Sequence, residues 1–135
     1  MLRRADWDAA RAALERAGFV HRRVASLGKA GTMDVFLDGP AAKVRDAVHV
    51  LWAGERVLPD AVEPTPELGL TEDAGDFALV PLEDLLRMKL TSFRDKDRVH
   101  LRDLASVGLV DESWLARFSP VLASRLKAIL DDPEG

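Results

Sequence analysis

Lys89 stands where its helix calls for a leucine. In the run from Pro81 to Val110, PLEDLLRMKLTSFRDKDRVHLRDLASVGLV, residues Leu82, Leu85, Leu86, Lys89 and Phe93 recur at i, i+3, i+4, i+7 and i+11. At about 100° per residue they share one helical face. An ammonium inside such a stripe must snorkel outward, meet a carboxylate or line a polar cavity, because an unpaired buried charge is costly. A second pattern, Asp97, Leu101, Leu104 and Ala105, puts Asp97 at the start of the next helix and on its inward side, within reach of Lys89. Two compatible readings stay open: Asp97 pairs with Lys89, or Asp97 is a helix N-cap and Lys89 a snorkelling stem. Arg87 falls on the far side of its helix and reads as solvated surface.

Arg87, Lys89, Arg94, Lys96, Arg98 and Arg102 face only Asp95 and Asp97 within their own stretch. A locally basic surface of this kind can receive a triphosphate or an RNA backbone. It can equally be a solvated face with internal ion pairs, since Glu83, Asp84 and Asp103 flank it. Asp34, in TMDVFL, points to the opposite sheet face from Met33 and Val35 if that run is a strand. It is either a site acid or a polar residue on the solvent side of a hairpin. Asp38 shares its parity, but four residues of extended chain separate the two by about 13 Å, too far for one metal pair. It reads as a turn residue before Gly39 and Pro40. His21, His49 and His100 lack the spacing of a metal site; His49 reads as a strand residue and the other two as surface. Trp7, Trp52 and Trp114 read as core anchors of separate elements.

These residues need elements to hold them. Asp6 is placed to cap a helix over 7–17, with Trp7, Ala10, Leu14 and Ala17 inward and Gly18 as the exit. A strand over 19–24, a turn over 26–31 and a strand over 32–37 make a hairpin. Residues 41–47 form a helical turn or an extended link, and VHVLWA at 48–53 is apolar enough for a strand covered on both faces. A long connection follows over 58–76, with prolines at 59, 64 and 66 and room for one short strand, and a last strand at 77–80. After the central helix pair, 111–118 and 119–130 are expected to be helices, the second with Ser119 as cap and Pro120 at its first position. Strands in the first two-thirds and helices at both ends predict an α+β fold, a small mixed sheet backed by helices.

At 135 residues and 47% hydrophobic, the chain fits one domain over 1–135, with a sheet part at 1–80 and a helical part at 81–135. The absence of cysteine excludes thiolate catalysis and disulfides. The charged N-terminus and the lack of any long apolar run point to a cytoplasmic protein with no membrane partner. A net charge of −4 argues against a general nucleic-acid coat.

The order AGF at 17–19, MDVFLDG at 33–39, AGE at 53–55 and LxxxKLxxxRxKDxxHLxDL at 85–104 resembles bacterial nucleotidyltransferase-like proteins of the polymerase-beta superfamily, similar to abortive-infection type toxin nucleotidyltransferases. That resemblance implies a mixed sheet with flanking helices, binding of a nucleoside triphosphate with magnesium (Mg2+), and transfer of a nucleotide to a hydroxyl, with the acceptor, RNA or protein, left open. The chemistry holds two hard cations about 3.5–4 Å apart between several carboxylates. By the resemblance, Asp34 matches the family's third acid, catalytic and metal-ligating. Lys89, Arg94 and Lys96 are the nucleotide or phosphate binders, with Asp97 supporting them from behind. The family's Gly-Ser turn and Asp-x-Asp pair have no counterpart in this sequence, and Gly28-Lys29-Ala30-Gly31 reads as a hairpin loop. The resulting expectation is a degenerate or truncated domain that binds a nucleotide, a phosphate group or a partner without independent catalysis. The alternatives are an active transferase represented by a shortened chain and a regulatory protein-interaction module. A missing strand before Leu2 would leave a sheet edge open and favour a homodimer through it.

Overall fold

Val20 and Val24 in one run and the continuous apolar Val35, Phe36 and Leu37 in the next favour two strands in the N-terminal third, and the structure, a computed structural model, pairs them as a hairpin. It describes residues 1–25, 32–69, 72–73 and 78–134, with backbone alone at 32, 72, 73 and 78. The turn expected over 26–31, the Gly28–Gly31 loop and the start of the strand expected at Phe77 lie outside the described residues.

A 3-10 turn, Arg4–Asp6, leads into α1 (Trp7–Arg16), followed by β1 (Val20–Ala25), β2 (Thr32–Leu37) and the two-residue β3 (Val48–His49). A small separate ladder joins β4 (Glu72–Asp73) to β5 (Ala78–Leu79). Then come α2 (Leu82–Ser92), α3 (Asp95–Ser106), a 3-10 segment Glu112–Arg117 and α4 (Pro120–Asp131). The architecture is α+β, as expected. The sheet, however, is antiparallel in the order β1-β2-β3, not mixed; among the described residues its one parallel contact is an isolated bridge between Leu2 and Trp52. In that bridge the Leu2 N–H donates to the Leu51 carbonyl at 2.9 Å and the Ala53 N–H donates to the Leu2 carbonyl at 3.0 Å. The chain's own first residues thus occupy part of the edge expected to be open.

Several boundaries differ from expectation for local reasons. β3 ends at His49, although the Val50 N–H still donates to the Asp34 carbonyl at 3.0 Å. Val48 is 48% exposed, so this strand is not covered on both faces. Asp6 does not cap α1 with its side chain; the 3-10 turn enters the helix directly. Glu112–Arg117 is 3-10, held at its start by Asp111, whose Oδ1 accepts the Ser113 N–H at 2.9 Å. That acceptance, from the Ser113 hydroxyl and backbone, holds the Asp111 carboxyl below its ordinary value. Pro120 begins α4 as expected, but the Ser119 hydroxyl is drawn off to Glu63 Oε1 and makes no cap bond.

Two buried apolar groups result. Val35, Phe36 and Leu37 are fully buried in the sheet part. Leu86, Leu90, Leu101, Val110, Leu122, Leu126 and Ile129 form the core of the helical part, with Val62 from the connection packed against it.

Candidate functional site

The joint between α2 and α3 gathers the charged groups. Phe93 ends α2 in the left-handed region at φ 46°, a conformation costly for a bulky side chain, and its N–H donates to the Lys89 carbonyl at 2.8 Å. This sharp turn folds the first residues of α3 back beside the last turn of α2. Asp97, at the third position of α3, is buried with its side chain 5% exposed. Its Oδ2 accepts the Ser92 hydroxyl at 2.6 Å, Arg94 Nε at 2.7 Å and the Arg94 backbone N–H at 3.3 Å. The last bond is the reach-back half of a capping box, so Arg94 and not Asp97 is the N-cap. Burial pushes the Asp97 carboxyl upward, but the hydrogen bonds from Arg94 and Ser92 and the nearby guanidinium outweigh it. The net effect holds the carboxyl below its ordinary value.

Lys89 meets this cluster from α2. Its side chain is 17% exposed, and Nζ stands 3.8 Å from Asp97 Oδ1. A nearer contact is His100 Nδ1, at 2.7 Å. An ammonium can only donate, so His100 accepts at Nδ1 and carries its hydrogen on Nε2. Of the two readings of the Lys89 and Asp97 spacing, the pair meets, whereas Asp97 is not the N-cap but serves the helix terminus from its third position, by accepting the Arg94 N–H. Arg94 lies on Asp97 and remains largely exposed at its tip, while Lys96 is exposed one residue before Asp97.

His100 lies on the surface, as expected, but its contact with Lys89 is what sequence reasoning missed. Its signal was its place three residues after Asp97, on the side of α3 that faces Lys89 across the turn. Arg87 also departs from expectation: it bonds Glu63 at 3.0 Å and Glu83 at 3.3 Å in place of water.

Asp34 lies elsewhere. Its Oδ1 is 2.9 Å from His21 Nε2, the two side chains being 13% and 16% exposed, so His21 is not a surface residue. His21 packs edge-on to Trp7 at 5.1 Å and beside Phe36 at 5.2 Å. Trp52 joins Trp7 at 5.4 Å, so two tryptophans expected to anchor separate elements share one cluster. Arg4 lies 3.9 Å over the Trp52 ring and is clamped by both carboxylate oxygens of Glu55 at 2.7 Å. That clamp raises the Arg4 guanidinium and lowers the Glu55 carboxyl through the hydrogen bonds between them. Beside it, Gly54 adopts φ 70° where a Cβ would fall 2.1 Å from Glu67 Oε1.

Hydrogen bonds and ion pairs therefore join Lys89, Arg94 and Asp97 at one joint, and place Asp34 with His21 in the sheet part. Among the described residues no three His, Asp or Glu side chains converge to hold an ion. Among the same residues no helix is long and apolar enough to cross a membrane. Comparison with family models, with characterised proteins and with solved structures gives no match.

Proposed function

We propose that this chain is a nucleotidyltransferase-like domain that binds a phosphate group, as of a nucleoside triphosphate, at the α2–α3 joint and performs no transfer by itself. The observation that carries the reading is the incomplete compensation of Lys89. Its short contact is to a neutral imidazole nitrogen, while the carboxylate 3.8 Å away is already engaged by Arg94 and Ser92. A phosphate oxygen offers that ammonium a charged acceptor, and charge-assisted bonds are roughly twice as strong as neutral ones. Arg94 and Lys96, with exposed tips at the same helix start, add positive charge for the remaining oxygens.

The catalytic alternative, a magnesium-dependent transferase acting on RNA or protein, rests on Asp34, which is engaged by His21. It has correspondingly less support. A homodimer through the sheet edge is weakened in the same way. Leu2 occupies one side, and two-fold pairing of β1 about its centre would set Arg22 against Arg23 across the interface.

Calorimetric titration with ATP at low salt, with and without magnesium, tests the proposal. Saturable heat is expected for the parent without a magnesium requirement, with affinity falling about tenfold or more in Lys89→Ala, the loss expected of a charge-assisted bond worth about 1.5 kcal/mol or more. No heat for the parent, or equal affinity in Lys89→Ala, would remove it.

A further inference from the structure

We infer that phosphate binding at this joint is proton-coupled, with His100 taking up the proton; the inference rests on the phosphate reading just given. His100 Nδ1 is the acceptor of the Lys89 ammonium at 2.7 Å. Protonation at that nitrogen replaces the acceptor lone pair with an N–H directed at Nζ, and the hydrogen bond is lost. Two cations then face one another across a hydrogen-bond length, an arrangement favourable only with an anion between them. A phosphate oxygen accepts from both. One proton from solvent is therefore taken up by His100 Nδ1 as the phosphate enters, and it leaves again when the phosphate departs.

The neighbouring charges leave room for this step. Lys89 faces His100 from α2; on α3, Asp97 lies three residues before it, Lys96 four before and Asp103 three after. Asp97 draws positive charge to the joint, yet Ser92 and Arg94 already occupy its Oδ2, and it makes no hydrogen bond to His100 among the described residues. His100 is exposed, so both its proton and a ligand have access from solvent. Imidazole is the side chain whose unperturbed charge change falls between about pH 5 and 8, so the test spans that range.

ATP is titrated into the parent and into His100→Gln from pH 5.5 to 8.5 at constant ionic strength, in paired buffers of different ionisation enthalpy. The terminal phosphate of ATP titrates in the same range, so the variant supplies the reference in which the ligand's contribution remains and the imidazole's is gone. Between the two ends of the range, parent affinity is expected to rise about tenfold more than variant affinity as pH falls, with up to one additional proton taken up by the parent. His100→Asn, with circular dichroism to confirm folding, guards against a defect particular to glutamine. Equal pH dependence and equal proton uptake in parent and variants would overturn the inference while leaving phosphate binding intact. Absence of binding by the parent at every pH would overturn both.

Discussion

At the scale of single residues, Asp97 holds the joint together because its charge is received by more than one donor. A buried carboxylate facing Lys89 alone would gain little against its desolvation; with Ser92, the Arg94 backbone and the Arg94 guanidinium it is satisfied. The sign of its pH dependence follows from the lowered folded value. Its stabilisation is complete above the unfolded carboxyl value of about 4 and is lost as pH falls through the lower folded one. Asp97→Asn keeps the shape and removes the charge. It is expected to cost about 2 kcal/mol at neutral pH in urea unfolding. The difference from the parent should shrink steadily below about pH 4; a difference unchanged from pH 7 to 3 would show that shape and not charge supplies the stability. Asp97 was legible from its position in the apolar register of α3. The identity of its donors was not, because Ser92 and Arg94 belong to a turn whose geometry no helical period specifies.

At the scale of elements, the α2–α3 turn survives its strained Phe93 because α4 props it from outside. Arg125 Nη1 donates to the carbonyls of Leu90 and Thr91 at 2.6 and 2.9 Å, supplying partners to the frayed end of α2, and its guanidinium lies 5.1 Å over the Phe93 ring. The Thr91 hydroxyl beside these carbonyls is buried without a partner among the described residues. Arg125→Ala is expected to cost about 2–3 kcal/mol and to speed amide exchange at the end of α2. Arg125→Lys should recover part of the stability, since a point charge can satisfy one carbonyl but loses the planar stack. Amide exchange at Leu90–Phe93 unchanged in Arg125→Ala would refute the bracing role. The helices themselves were legible, because Leu82, Leu85 and Leu86 in α2, Leu101 and Leu104 in α3, and Leu122, Leu126 and Ile129 in α4 each keep helical spacing, although the fully buried Leu90 stood outside the stripe read for α2. Arg125 in the middle of that last stripe carries no sequence mark that separates a brace from a surface cation.

At the scale of the whole molecule, the segment over 54–69 binds the two buried groups to each other, although its composition announces only a wandering connection. Its two ends are closed on each other, the Thr65 N–H meeting the Glu55 carbonyl at 2.9 Å and the Gly54 N–H the Pro66 carbonyl at 3.3 Å, and they are tied to the sheet part by the Thr65 hydroxyl on the Trp52 carbonyl and by Arg4 on Glu55. At its middle Val62 packs on the helical core, and Glu63, its side chain 18% exposed, receives Arg87 at 3.0 Å and the Ser119 hydroxyl. Prolines and acidic residues predict the absence of regular structure there, and they are right about that. They do not show that an irregular backbone can be pinned from both sides by side chains far away in sequence. Glu63→Ala removes the acceptor shared by α2 and α4 while leaving Arg87 its bond to Glu83. It is expected to cost about 2 kcal/mol, chiefly by leaving the Ser119 hydroxyl and half of the Arg87 fork unsatisfied. Because the same residue couples the connection to the helices, the sheet part should lose cooperation with them. Tryptophan fluorescence, which draws on Trp7 and Trp52 in the sheet part as well as Trp114, should then separate from far-ultraviolet circular dichroism, dominated by the helices, in one denaturant titration. Coincident transitions at a lowered midpoint would mean that Glu63 adds stability to a single cooperative unit without being its link.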